Sequence, residues 1–147
     1  MNNLEKMGQN VSRRTTGSNI KKYLFIPASA LRLIGNLYCP KGVSGDLPAI
    51  AVCGPFGSSQ GTGFGTLCAD IGRKRLRDFA FDPSFTGESS GFPRNLASPD
   101  ISTEDFSSAV DYLSNLKGVD HNKIGVLGIC GFGGFALNAA AIDTRIK

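Results

Sequence analysis

Residues 123–141 constrain the fold more than any other part of the chain. Ile124-Gly125-Val126-Leu127-Gly128-Ile129 is a continuous apolar run, the pattern of a strand covered on both faces. It passes without a polar linker into Cys130-Gly131-Phe132-Gly133-Gly134, and residues 131–141 then read as the helix that follows. A strand that empties directly into a helix is the repeating unit of an α/β sheet with parallel strands.

The same unit occurs twice upstream. Pro48-Ala49-Ile50-Ala51-Val52-Cys53 is apolar throughout and leads into a Gly-rich loop over residues 54–63, after which Phe64, Leu67, Cys68 and Ile71 fall at helical spacing. Phe79-Ala80-Phe81-Asp82-Pro83 reads as a short strand stopped by its proline. Ser102 can cap a helix over residues 103–116, with Asp105 in the acidic position of a capping box. Phe106, Val110 and Leu113 form its apolar stripe, with Ala109 and Leu116 alongside. Ahead of these units, residues 23–26 form a short apolar run. Residues 31–38 alternate in the period-2 manner of a half-buried strand. Two strands before any helix predict an antiparallel hairpin at a sheet edge. The expected fold class is therefore α/β, a doubly wound and mostly parallel sheet with an N-terminal antiparallel hairpin.

The net charge of +4 invites a nucleic-acid reading until it is located. Residues 1–22 carry Lys6, Arg13, Arg14, Lys21 and Lys22 against Glu5 and account for all of it, while residues 23–147 are balanced. No aromatic residue is interleaved with these charges. A solvated, disordered polar leader over 1–22 is expected, followed by one domain over 23–147, with no nucleic-acid partner. No run approaches the roughly 20 apolar residues of a membrane span, and no secretory signal is legible, so a cytoplasmic protein is expected. The four cysteines, at 39, 53, 68 and 130, form no C-x-x-C pair, and His121 has no cysteine at ligand spacing. No metal and no cofactor are expected. Cys39, Cys53 and Cys68 lie in apolar surroundings and read as core residues.

Cys130 is different. In an open α/β sheet, ligands bind beyond the carboxyl ends of the strands, and Cys130 sits at such an end. A nucleophile on a sharp strand-to-helix turn needs small neighbours, which Gly128, Gly131, Gly133 and Gly134 supply. The helix N-terminus beyond it favours the thiolate.

The run from Asp120 to Cys130 resembles the strand leading into the nucleophile elbow of α/β-hydrolases, closest to the dienelactone-hydrolase-like branch, whose elbow carries cysteine. The segment from Asp82 to Gly91 resembles the loop after that superfamily's fourth strand, and Gly54-Pro55-Phe56-Gly57 resembles its oxyanion loop. The resemblance runs from about Leu31 to Lys147 and implies a partial α/β-hydrolase fold. It further implies Cys130 as nucleophile and the Gly131 N–H as one oxyanion donor. The second donor it implies is the N–H of Phe56, or of Gly57. The implied reaction is hydrolysis of a small-molecule ester, lactone or thioester through an acyl-cysteine.

The sequence departs from that pattern in several places. The superfamily's order is nucleophile, acid, histidine, and no histidine follows Cys130. His121 precedes the strand, roughly 25 Å from Cys130 at 3.3 Å per residue, and reads as a turn residue. Asp143 lies near the far end of the helix that starts at the elbow. Phe132 occupies the elbow's usual glycine position, Gly54 stands where the resembling families often carry histidine, and Arg73-Lys74-Arg75-Leu76-Arg77-Asp78 interrupts the approach to the next strand. The expected chain is the N-terminal half of a hydrolase, inactive or incomplete alone, with an open sheet edge that favours self-association. Two alternatives stay open. One is a non-catalytic fragment or one half of a two-chain assembly. The other is a dinucleotide-binding domain, because Gly131-Phe132-Gly133-Gly134-Phe135-Ala136 fits G-x-G-x-x-A.

Overall fold

A computed structural model describes the backbone of residues 13–15 and 18–25, and residues 31–57 and 75–147 in full. The described strands are β1 (Arg13–Thr15), β2 (Ser18–Phe25), β3 (Leu33–Pro40), β4 (Leu47–Cys53), β5 (Arg77–Asp82) and β6 (Val119–Gly128). The described helices are α1 (Pro99–Ser114), between β5 and β6, and α2 (Phe132–Ile142), after β6. The strands form one sheet in the order β1-β2-β3-β5-β4-β6.

β5, β4 and β6 run parallel, whereas β1, β2, β3 and β5 pair antiparallel in sequence. The antiparallel part is thus larger than the hairpin expected from the sequence. Pairing begins at Arg13 and, in β2, at Ser18, inside the segment 1–22 expected as a disordered leader. Residues 1–12 lie outside the described residues, as does the helix expected from Phe64, Leu67, Cys68 and Ile71.

Strand alternation divides the sheet residues between two faces. Leu33, Leu37, Ala49, Ala51, Phe79, Phe81 and Ile124 pack with Phe106, Val110 and Leu113 of α1 and with Phe132, Ala136 and Ala139 of α2. Both described helices therefore cover one face. Tyr38, Val52 and Ala80 are buried on the other, with Ile50, Leu127 and Ile129 against them. The stripe expected on α1 is present, and the stacked pair Phe79–Phe81 leans on α1 through Tyr112 and Phe106.

The N-terminal cap of α1 differs from expectation. Ser98 is the N-cap, with proline in the first turn, and Ser102 is already helical, donating its N–H to the Ser98 carbonyl at 2.8 Å. Asp105 does not serve a capping box. It lies on the buried stripe and accepts from the N–H and the hydroxyl of Ser84, each at 2.8 Å. The basic run before β5 ends in Arg77 and Asp78, which already belong to the strand. Arg77 reaches the Lys117 carbonyl at 3.0 Å. Asp78 is fully buried, with no hydrogen-bond partner on either carboxylate oxygen among the described residues, and burial pushes its carboxyl up to about 7.

Candidate active site

Register brings the ends of the three parallel strands level. Cys53 of β4 pairs with Phe81 of β5 on one side and with Gly128 of β6 on the other. Neighbouring strands lie about 4.8 Å apart, so the loops that follow emerge side by side at the carboxyl edge.

On β6 the ladder ends with the Ile129 N–H donating to the Cys53 carbonyl at 3.1 Å. The next residue, Cys130, has φ +60°. This left-handed conformation costs a non-glycine residue about 1–2 kcal/mol. It turns the chain within one residue, and the N–H groups of Gly133 and Gly134 then donate to the carbonyls of Cys130 and Gly131 at 3.0 and 3.3 Å. α2 begins at Phe132, and the Cys130 side chain stands exposed at the bend.

The flanking glycines do not all serve one purpose. A Cβ on Gly128 would overlap the Phe132 carbonyl group and the Gly133 nitrogen, so the bend itself excludes a side chain there. A Cβ on Gly131 would overlap the Phe56 ring. At Gly133 a Cβ would meet only the Gly128 oxygen, at 3.4 Å, and at Gly134 nothing lies within reach. The sequence-based view that all four clear the turn holds only for Gly128; Gly131 clears the Phe56 ring instead.

Phe56, on the loop after β4, reaches across to the elbow. Its ring lies 4.7 Å from that of Phe132 and 6.1 Å from that of Phe135, and those two are 5.3 Å apart. Phe132, in the position usually held by glycine, is buried beneath this cluster, while Phe56 remains 49% exposed. Among the described residues, the N–H groups of Gly131 and Phe56 have no hydrogen-bond partner. Cys130, Gly131 and Phe56 are thus brought together. The rest of the Gly-rich loop, 58–63, lies outside the described residues.

His121 is exposed at the opposite end of β6. Asp143 follows α2 and is bound to Arg145 at 2.9 and 2.6 Å, which holds its carboxyl below the usual range. Neither approaches the bend. The buried acids at the carboxyl edge are instead Asp82 and Asp105. Asp82 accepts from the Glu88 N–H at 2.9 Å, and burial raises the Asp105 carboxyl to about 6. Both charges add to burial in pushing the Cys53 thiol up, so Cys53 is an inert core residue. The burial of Asp105, though not its partner, was legible in principle. Ser102, Asp105, Phe106, Ala109, Val110 and Leu113 share the helical spacing of the apolar stripe.

The Asp82–Gly91 loop is held by its own groups. The Ser89 hydroxyl donates to the Asp82 carbonyl at 2.6 Å and accepts from the Ile34 N–H at 3.0 Å. Arg94 donates to the carbonyls of Gly87, Ser89 and Gly91. Ser89 is a structural hydroxyl. Among the described residues no group of three side chains could hold a metal ion, and no helix is long and apolar enough to cross a membrane.

No protein-family model matches the chain. Among curated proteins it is 50% identical over 128 residues to Uncharacterized protein PA2218 of Pseudomonas aeruginosa, covering 86% of this chain and 34% of that protein. It is 42% identical over 99 residues to Uncharacterized protein YcjY of Escherichia coli, covering 67% and 32%. It is 28% identical over 123 residues to Thiohydrolase aneE of Aspergillus aculeatus, covering 84% and 38%. The chain thus spans roughly a third of the length of these relatives. Among solved structures, that of PA2218 superposes with TM-score 0.86 at 47% identity, over 90% of this chain and 42% of that one. The α/β-hydrolase GrgF of Penicillium superposes with TM-score 0.80 at 24% identity, over 86% and 43%. Acetyl xylan esterase 1 of Thermoanaerobacterium gives 0.75 at 18%, over 98% and 53%.

Proposed function

Because this chain carries part of the α/β-hydrolase fold, we propose that it serves a hydrolase that opens an ester, lactone or thioester through an acyl-cysteine on Cys130. The observation that carries this reading is the bend itself. An exposed thiol is held at φ +60° at the sheet's carboxyl rim, next to Gly131 and near the loop whose Phe56 ring packs on Gly131, and the N–H groups of Gly131 and Phe56 have no hydrogen-bond partner among the described residues. A nucleophile placed there can attack a carbonyl whose developing oxyanion faces those two donors. The thiolate forms the C–S bond, the bond from the acyl carbon to the leaving oxygen or sulfur breaks, that atom takes up a proton from solvent where its basicity requires one, and water then cleaves the acyl-cysteine to the acid and the free thiol. A thioester is the favoured substrate class, supported by the thiohydrolases among the curated relatives, which stand there beside polyketide transferases and an acyltransferase.

Deacylation needs a base. The chain's one histidine, His121, lies at the far end of β6. The chain alone is therefore expected to stop at the acyl-cysteine. The test is p-nitrophenyl acetate with the full chain, followed by peptide-resolved mass spectrometry. One acetyl group on Cys130, with little on Cys39, Cys53 or Cys68, supports the reading; equal acetylation of all four defeats it.

A second reading, self-association, rests on a separate observation. Among the described residues, the outer edge of β6 carries only a parallel bridge between Ile124 and Ile146. Beside it lies a groove of about 360 Å³ lined by Val126, Leu127, Ala136 and Leu137. Leu137 and Ile142 are 74% and 67% exposed. A second copy of the chain covering this edge accounts for the apolar surface.

A further inference from the structure

We propose that the Phe56 ring is a positioning residue that locks the oxyanion loop onto the elbow. This rests on the acyl-cysteine reading above and adds to it the means by which two separate segments are held in one geometry. An oxyanion hole built from one N–H on the elbow and one on the loop after β4 works only if the two stay at a fixed spacing. A loop free to drift leaves one donor out of reach.

Three observations point to the ring. It occupies the space that a Cβ on Gly131 would take, so glycine at the N-cap of α2 admits Phe56. It packs against Phe132 and Phe135, one turn apart on α2, so that the contact is with the helix as well as the bend. Phe132 is itself buried in the core cluster that joins α2 to the sheet, which makes the platform rigid. The side chain of Phe56 thus clamps the loop that carries its own N–H. This also explains why an aromatic residue half exposed to solvent is placed here, on a loop that otherwise has few anchors among the described residues.

The test exploits two reagents for the same thiol. Acylation by p-nitrophenyl acetate passes through an oxyanion: the C–S bond forms, the C–O bond to the aryl group breaks, and p-nitrophenolate leaves. Alkylation by iodoacetamide displaces iodide at a saturated carbon and develops no such charge. Rates at Cys130 are measured on the full chain by peptide-resolved mass spectrometry. Phe56→Ala is expected to lower the acylation rate about tenfold or more, a part of the 10²–10³-fold lost when a donor is removed outright. Its alkylation rate should stay within about threefold. Phe56→Leu, which keeps most of the bulk, should give an acylation-to-alkylation ratio between those of Phe56→Ala and the parent, and it carries the test alone if Phe56→Ala does not fold. An unchanged ratio, or an equal fall in both rates, overturns the proposal. If the parent chain is not acylated at Cys130 at all, it is the acyl-cysteine reading that fails; if it is, and the ratio ignores Phe56, only the positioning role fails.

Discussion

Asp105 of α1 and Ser84 of the loop after β5 are joined by two buried hydrogen bonds, one from the Ser84 amide and one from its hydroxyl, both 2.8 Å long. The pair ties the first turns of α1 to the end of a central strand and so fixes where one of the three side-by-side loops leaves the sheet.

Asp105→Ala removes both acceptors and leaves the Ser84 amide and hydroxyl buried without partners. Each such group costs about 1–3 kcal/mol, so a loss of roughly 2–6 kcal/mol is expected. Asp105→Asn retains one acceptor and should cost less. Urea titration followed by far-ultraviolet circular dichroism measures both.

Asp78 sets a pH dependence of the opposite kind from a salt-bridged carboxylate. Burial raises its folded-state pKa to about 7, above the ordinary 3.8, so the folded chain holds a proton that the unfolded chain releases. Stability from this group is fully present below about pH 4, falls as pH rises, and levels off above about pH 7. Asp105, raised to about 6, contributes in the same sense. Urea midpoints from pH 4.5 to 8 should decline, and Asp78→Asn should flatten most of that slope.

The elbow glycines should separate sharply. Gly128→Ala places a methyl group against the backbone of Phe132 and Gly133, which cannot yield without opening the bend. A loss of about 2 kcal/mol or more is expected, with loss of selective labelling at Cys130. Gly134→Ala meets open space within a helix and should raise stability by about 0.5–1 kcal/mol. Thermal melts of the two variants give the comparison.

Cys130→Gly removes the thiol and relieves the left-handed strain together. Acylation should vanish while stability rises by about 1 kcal/mol. A variant that loses stability would show that the thiol packs rather than projects.

Leu137→Glu places a charge in the exposed apolar face beside the β6 edge. Sedimentation velocity over a range of concentrations should show the parent chain associating and the variant shifted toward monomer. Identical profiles would count against a second copy on this edge.

Most of the strands were legible because alternation and apolar runs report burial directly. Leu33, Gly35 and Leu37 are buried at every second position, and β4 was readable from its apolar run. The start of β6 at Val119 was hidden because Asp120, Asn122 and Lys123 are polar. They occupy an irregularity between the pairs Leu47–Val119 and Ala49–Ile124, so they read as a turn. β2 begins earlier than its apolar run because backbone pairing to β3 starts at Ser18. At the site, the bend at Cys130 could be read from Gly128, since the clash it avoids is with residues four and five positions on. The reason for Gly131 could not, because the ring that fills its place arrives from a loop far back in the chain. The role of Asp105 was concealed in the same way: a serine after another strand outbids the local cap.

The bond from the Ile129 amide to the Cys53 carbonyl joins residues from β4 and the end of β6, with the whole of β5 and α1 folded in between. The bend that lifts Cys130 off the sheet is anchored by that long-range closure, so it cannot form while the chain is only locally ordered. A nascent or partly denatured molecule carries four unremarkable thiols. Discrimination among them emerges with the docking of β6 on β4, which makes the chemistry of a single sulfur a clock for that step of folding.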